Sequence, residues 1–206
     1  MKTKTIAFLA LTILSMEAIA TTNKKTEKKK YKEIKLTRES DVIDVPADQL
    51  WEIVGRGFEK AGEWSTAVDH SVGSGDAEFE GATCSNRMCA LNARGFDKIS
   101  ETLTKYDEES QELIYTVDEG MPGFVTLASN HWTVMDLGNG KSALKMNITM
   151  HTKKFMGSLM GGMMKKNINN TMTTVFDDLK VYAETGSISK EKAARMAKLT
   201  NKKKQA

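Results

Sequence analysis

The sequence predicts an α+β domain built as one strand, two short helices, a run of antiparallel strands and a single long C-terminal helix. Three observations predict it. Between Val68 and His151 the chain reads as strand after strand, with turn signals at "GSGD" (73–76), "NARG" (92–95), "DEES" (107–110), "GMPG" (120–123) and "GNG" (138–140). From about Lys153 to Glu184 the apolar period changes to three and four residues, through Phe155, Leu159, Met163, Met172, Val175, Phe176, Leu179, Tyr182 and Ala183. No internal repeat interrupts this order, and 206 residues suit one domain with a single core.

The elements follow in order. Residues 1–20 have the form of a secretory signal peptide: Lys2 and Lys4 precede the nine-residue apolar run "IAFLALTIL", and Ala18-Ile19-Ala20 gives a small-x-small cleavage pattern. A helix needs about 20 apolar residues to span a bilayer, so this run predicts export and cleavage after Ala20 rather than anchoring. Residues 21–33 read as a disordered, lysine-rich linker, 34–186 as the folded domain and 187–206 as a basic C-terminal tail, with a short helix at Glu191 to Leu199. "IKLTRESDVIDV" reads as the first strand. Pro46 and Asp48 then start a helix carrying Leu50, Trp51, Ile53 and Val54, which Gly55 and Gly57 break before a second short turn in "FEKAGEW".

Parity assigns the strand faces. Ile99, Glu101 and Leu103 share one face, which places an acid inward beside two apolar residues; Leu113, Tyr115 and Val117 share another. In the last strand Leu144, Met146, Ile148 and Met150 alternate with polar residues, the pattern of a half-buried antiparallel strand. "TLASNHWTVM" has apolar residues of both parities, so the inward face at His131 stays open. Gly186 is a C-cap for the long helix.

Composition narrows the function. Charged residues make up 28% of the chain but leave a net charge of only +3, with the lysine clusters at the two ends, which argues against a nucleic-acid binder. There is no nucleophile elbow, phosphate loop or zinc spacing, and no cofactor or metal is expected. Cys84 and Cys89 could form a disulfide in an exported protein. On one extended strand, however, five residues at 3.3 Å each would hold their Cα atoms roughly 16 Å apart, where a bond needs under about 7 Å, so both states stay open.

The segment "FMGSLMGGMM", Phe155 to Met164, holds four methionines and three glycines. Methionine is unbranched and polarisable and conforms to irregular partners. Met156, Met160, Met163 and Met164 fall at i, i+4, i+7 and i+8, and Met146 and Met150 lie on the opposing strand. Plain core packing and the wall of a pocket weigh equally here. A copper site through thioethers is a lesser alternative, because His70, His131 and His151 are scattered.

Several motifs carry a resemblance. "VPADQLWEIVGRGFEKAGEW", "GATCSNR" followed by "FDKISETLTKYDEES", "YTVDEGMP" and "GNGKSAL" occur in order over residues 40–185. In sequence and spacing they resemble the START-like, or polyketide cyclase (SRPBCC), superfamily. The resemblance implies a helix-grip fold, in which a curved antiparallel sheet wraps a long C-terminal helix and leaves a cavity for lipids, polyketides, steroids or other apolar molecules. It implies an inward ligand-facing glutamate at Glu101, the strand arginine at Arg87, and loops at 92–95 and "GMPG" over the cavity mouth. The chain departs from the pattern in a longer Arg87–Glu101 segment and in the early position of Phe124.

The expected ligand-binding residues are therefore Trp64, Arg87, Glu101, Tyr115, Pro122, Phe124, Met146, Met150, Phe155, Leu159, Met160 and Met163. The expected function is an exported binding protein for a small hydrophobic ligand, with no nucleic-acid partner and no stable membrane insertion. The alternative is a cyclase- or dehydratase-type enzyme using Glu101 as acid/base beside Tyr115.

Overall fold

A computed structural model describes residues 30–92 and 97–205. The signal-like segment, most of the linker and most of the "NARG" turn lie outside the described residues. Seven strands form one antiparallel sheet in the order β1-β7-β6-β5-β4-β3-β2. They are β1 (Tyr31–Glu39), β2 (Val68–Ser74), β3 (Asn86–Leu91), β4 (Lys98–Asp107), β5 (Glu112–Glu119), β6 (Val125–Gly138) and β7 (Lys141–Lys153). Two short helices, α1 (Ala47–Trp51) and α2 (Ala61–Trp64), lie between β1 and β2, joined by a π turn and a 3₁₀ turn. The long helix α3 (Lys154–Thr185) follows β7 directly, and α4 (Lys190–Gln205) comes last. This is the helix-grip architecture expected from the order of elements. No described helix is long and apolar enough to cross a membrane.

The strand faces come out as parity predicts. Ile99, Glu101 and Leu103 are buried on β4, and Leu113 and Tyr115 on β5; Leu144, Met146 and Met150 are buried on β7. A register shift between Leu103 and Lys105 returns Tyr106 to the inner face. On β6, open at the sequence level, Trp132 and Val134 are buried while His131 stays half-exposed, bound to Glu112 Oε2 at 2.8 Å. Leu50, Trp51 and Phe58 from the short helical segment meet Leu113, Leu144 and Leu179 in the main core. Gly186 closes α3 in the left-handed region at φ +66°, its N–H donating to the Tyr182 carbonyl at 2.9 Å.

Three expectations are corrected. β1 begins at Tyr31, paired with Lys153, so residues 31–33 belong to the sheet and not to the linker: alternation of Tyr31, Glu33 and Lys35 with Lys32 and Ile34 suffices once β7 offers an edge. Residues 187–206 are not a simple solvated tail. Helix α4 docks through Ser189, whose hydroxyl donates to buried Asp178, through Lys192, whose Nζ donates to the Val68 carbonyl at 2.7 Å, and through Arg195, which pairs with both oxygens of Asp69. Lys192 is fully buried, and that burial pulls its pKa down. Cys84 and Cys89 are both buried and free.

The third correction concerns α3. Phe155 and Leu159, expected in the cavity wall, are 77% and 72% exposed. Gly157 and Gly161 face the sheet instead and are buried. A Cβ on Gly157 would run into Thr152 Oγ1 and stand 2.9 Å from the Lys32 Cβ, so only glycine lets the helix lie this close to β1 and β7. At 100° per residue, positions two away from Gly157 lie about 160–200° round the helix, which turns Phe155 and Leu159 outward.

Candidate functional site

Between the inner face of the sheet and α3 lies a cavity of about 700 Å³. This is the size range of small-molecule sites. Ten of the twelve expected residues line it: Trp64, Arg87, Glu101, Tyr115, Pro122, Phe124, Met146, Met150, Met160 and Met163. Phe155 and Leu159 do not. The sequence reading missed Ala128, Asn130 and Trp132 on β6 and Met164, Ile168, Met172 and Val175 on α3. The helical four had a readable signal, since they continue the Met160 row at three- and four-residue spacing. The β6 residues had none, because a shift in pairing between Val125 and Leu127 moves the inward parity within the strand.

Methionine supplies much of the lining: Met146 and Met150 from β7, Met160, Met163, Met164 and Met172 from α3, and Met121 from the loop before β6. Among the lining residues of α3, Met163, at 52% exposure, Asn167, Asn170 and Thr171 are exposed, and Met121, Pro122 and Phe124 in the loop before β6 are partly open. They mark the mouth. Asn92 also lines the cavity, beside a turn whose remaining residues lie outside the described part of the chain.

The polar heart of the site is an ion pair. Arg87 and Glu101 stand opposite each other on β3 and β4, both about 4% exposed. Arg87 donates to Glu101 Oε2 from Nε at 2.7 Å and from Nη2 at 2.6 Å, while Nη1 donates to the Phe58 carbonyl at 2.5 Å. The guanidinium lies 3.9 Å from the centre of the Phe58 ring and 5.3 Å from that of Tyr115, within cation–π range of both in an apolar wall. Burial works against the Arg87 charge, but the Glu101 carboxylate, together with Cys89 and Tyr115, outweighs it and raises the pKa. The Cys89 thiol donates to the same Oε2 at 3.5 Å. Burial pushes that thiol up to about 12, against the opposing pull of Arg87, so it is no nucleophile at neutral pH. Burial also drives the Tyr115 phenol upward, with Glu101 adding to the effect.

Two donors in the lining are unanswered. The indole Nε1 atoms of Trp64 and Trp132 are buried without a hydrogen-bond partner in the protein. Indole nitrogen can only donate, and a buried donor left unpaired costs about 1–3 kcal/mol. Among the described residues no group of three or more His, Cys, Asp or Glu side chains could hold a metal ion.

A family model described as polyketide cyclase / dehydrase and lipid transport matches residues 34–184. The chain belongs to this family. The solved structures it resembles carry the same fold. Norcoclaurine synthase from Thalictrum flavum, in complex with dopamine and hydroxybenzaldehyde, is 16% identical with a TM-score of 0.58; the match covers 77% of this chain and 91% of the synthase. The Zhui aromatase/cyclase from Streptomyces sp. R1128 is 10% identical with a TM-score of 0.54, over 77% of this chain and 99% of the other. A START superfamily protein from Mycobacterium smegmatis is 14% identical with a TM-score of 0.50, over 71% and 98%. No curated protein matches the chain by sequence. For this member of the polyketide cyclase / dehydrase and lipid transport family, ligand binding or cyclase-type chemistry in a hydrophobic cavity is the family's range, and the side chains above must decide within it.

Proposed function

We propose that the protein is an exported binding protein for a small hydrophobic ligand of lipid, polyketide or steroid type, held between the sheet and α3. One observation carries this: a cavity of about 700 Å³ walled largely by apolar side chains, with methionines from three separate elements. The enzyme reading has less support. Glu101 is held in an ion pair, its Oε2 taking two Arg87 donors and the Cys89 thiol. Export rests on the signal pattern of residues 1–20 alone.

Native mass spectrometry of protein taken from its own cells tests both parts. The expected species is a chain beginning at Thr21 with an apolar guest attached. The cavity itself is tested with Ala128→Phe, since Ala128 is buried and lines it. In open space the added ring should leave the urea midpoint nearly unchanged and abolish uptake of an environment-sensitive apolar dye. In a packed core it would cost about 1–3 kcal/mol. Strong destabilisation, with no guest and no dye uptake by the parent, would overturn the reading.

A further inference from the structure

The outer face of the first turns of α3 is apolar where a soluble helix should be polar. Phe155, Leu159 and Met163 are 77%, 72% and 52% exposed, and at i, i+4 and i+8 they form one row. Core packing does not explain them, because the same turns bury Gly157 and Gly161 against β1. Along this stretch of the chain the charge is of one sign. Residues 151–176 contain Lys153, Lys154, Lys165 and Lys166 and no Asp or Glu. All four lysines are exposed, and Lys166 lies on the same side of the helix as Phe155 and Leu159. Lys32 of β1 runs alongside, its Nζ next to Gly161. The neighbouring acid on β1, Glu33, is engaged with Lys35 and His151.

We infer that this face docks the protein on the surface of an anionic lipid bilayer. An apolar row flanked by lysines is the pattern of a helix that lies in the plane of a membrane interface, its apolar side chains among the acyl chains and its ammonium groups at the phosphates. The row is about 12 Å long, too short to bury the roughly 800 Å² per partner that a stable protein pair needs. Met163 belongs both to the row and to the cavity lining, and Met121, Pro122 and Phe124 stand at the same mouth. Docking therefore sets the mouth against the bilayer, and an apolar guest passes between cavity and membrane without crossing bulk water. The inference goes beyond ligand binding and stands whether or not the cavity carries a guest.

The test is co-sedimentation of the protein, in the form its cells accumulate, with vesicles of phosphatidylcholine alone and of phosphatidylcholine mixed with phosphatidylglycerol. The parent should bind the mixed vesicles, bind the neutral ones weakly, and release as salt is added. Because both side chains are largely exposed, F155S/L159S should keep the parental melting temperature while losing at least about tenfold in affinity for mixed vesicles. K165E/K166E should lose binding to the mixed vesicles selectively. Any N-terminal apolar segment retained by the chain is common to parent and variants, so it cannot produce the difference. The inference is overturned if the parent ignores the mixed vesicles, if F155S/L159S binds like the parent, or if the parent is a dimer that F155S/L159S dissociates.

Discussion

Among the described residues, Arg87 and Glu101 balance each other's charge inside an apolar wall, and this makes them fragile singly and replaceable together. Glu101→Gln keeps the shape but leaves a buried guanidinium without its counter-charge. It should cost about 3 kcal/mol in urea unfolding, whereas Arg87→Met with Glu101→Leu should recover most of that loss. Full stability of Glu101→Gln would mean that the pair does not hold the fold and would reopen Glu101 as a free acid. Glu101 was legible in the sequence because an acid of inward parity between Ile99 and Leu103 is unusual. Its direct pairing with Arg87 depends on the register of β3 against β4, which parity alone does not give. Trp132 was hidden for a related reason: local irregularity in pairing, rather than composition, chose the inner face of β6.

At the scale of elements, α3 is positioned by its glycines. The same chemical change should have opposite signs at two of them. Gly157→Ala drives a methyl group into Thr152 and Lys32 and should destabilise by about 1–3 kcal/mol. Gly162→Ala meets nothing within 4 Å and should stabilise by up to about 1 kcal/mol through helix propensity. Urea midpoints of the two variants read the difference directly. The extent of α3 and its cap at Gly186 were legible from periodicity. The rotation of its first turns was not, because apolar residues there occupy both sides of the helix, and periodicity alone assigns the larger ones, Phe155 and Leu159, to the interior. The decisive information is the absence of side chains at 157 and 161, which hydrophobicity does not score.

At the scale of the whole molecule, order and number of elements were legible, and the docking of α4 was not. Its lysines read as solvent-facing, and nothing local marks Lys192 as the one to be buried; the Val68 carbonyl that receives it lies 124 residues earlier. The Arg195–Asp69 pair tests the dock. Arg195→Glu should lower stability by about 1 kcal/mol, the modest value of a partly exposed pair, and Asp69→Arg added to it should restore part of the loss. If the single change has no effect, the pair does not contribute to holding α4.

The dock has a consequence for the order of events during synthesis. Trp64, Ser65, Ala67 and Val68 form one wall of the cavity, and that wall is clamped by Asp178, Lys192 and Arg195 acting at Thr66, Val68 and Asp69. Lys192 and Arg195 leave the ribosome after every residue that lines the cavity. A growing chain therefore owns the whole sheet and the long helix before this wall is locked, and an incomplete product lacks that lock on any cargo it meets.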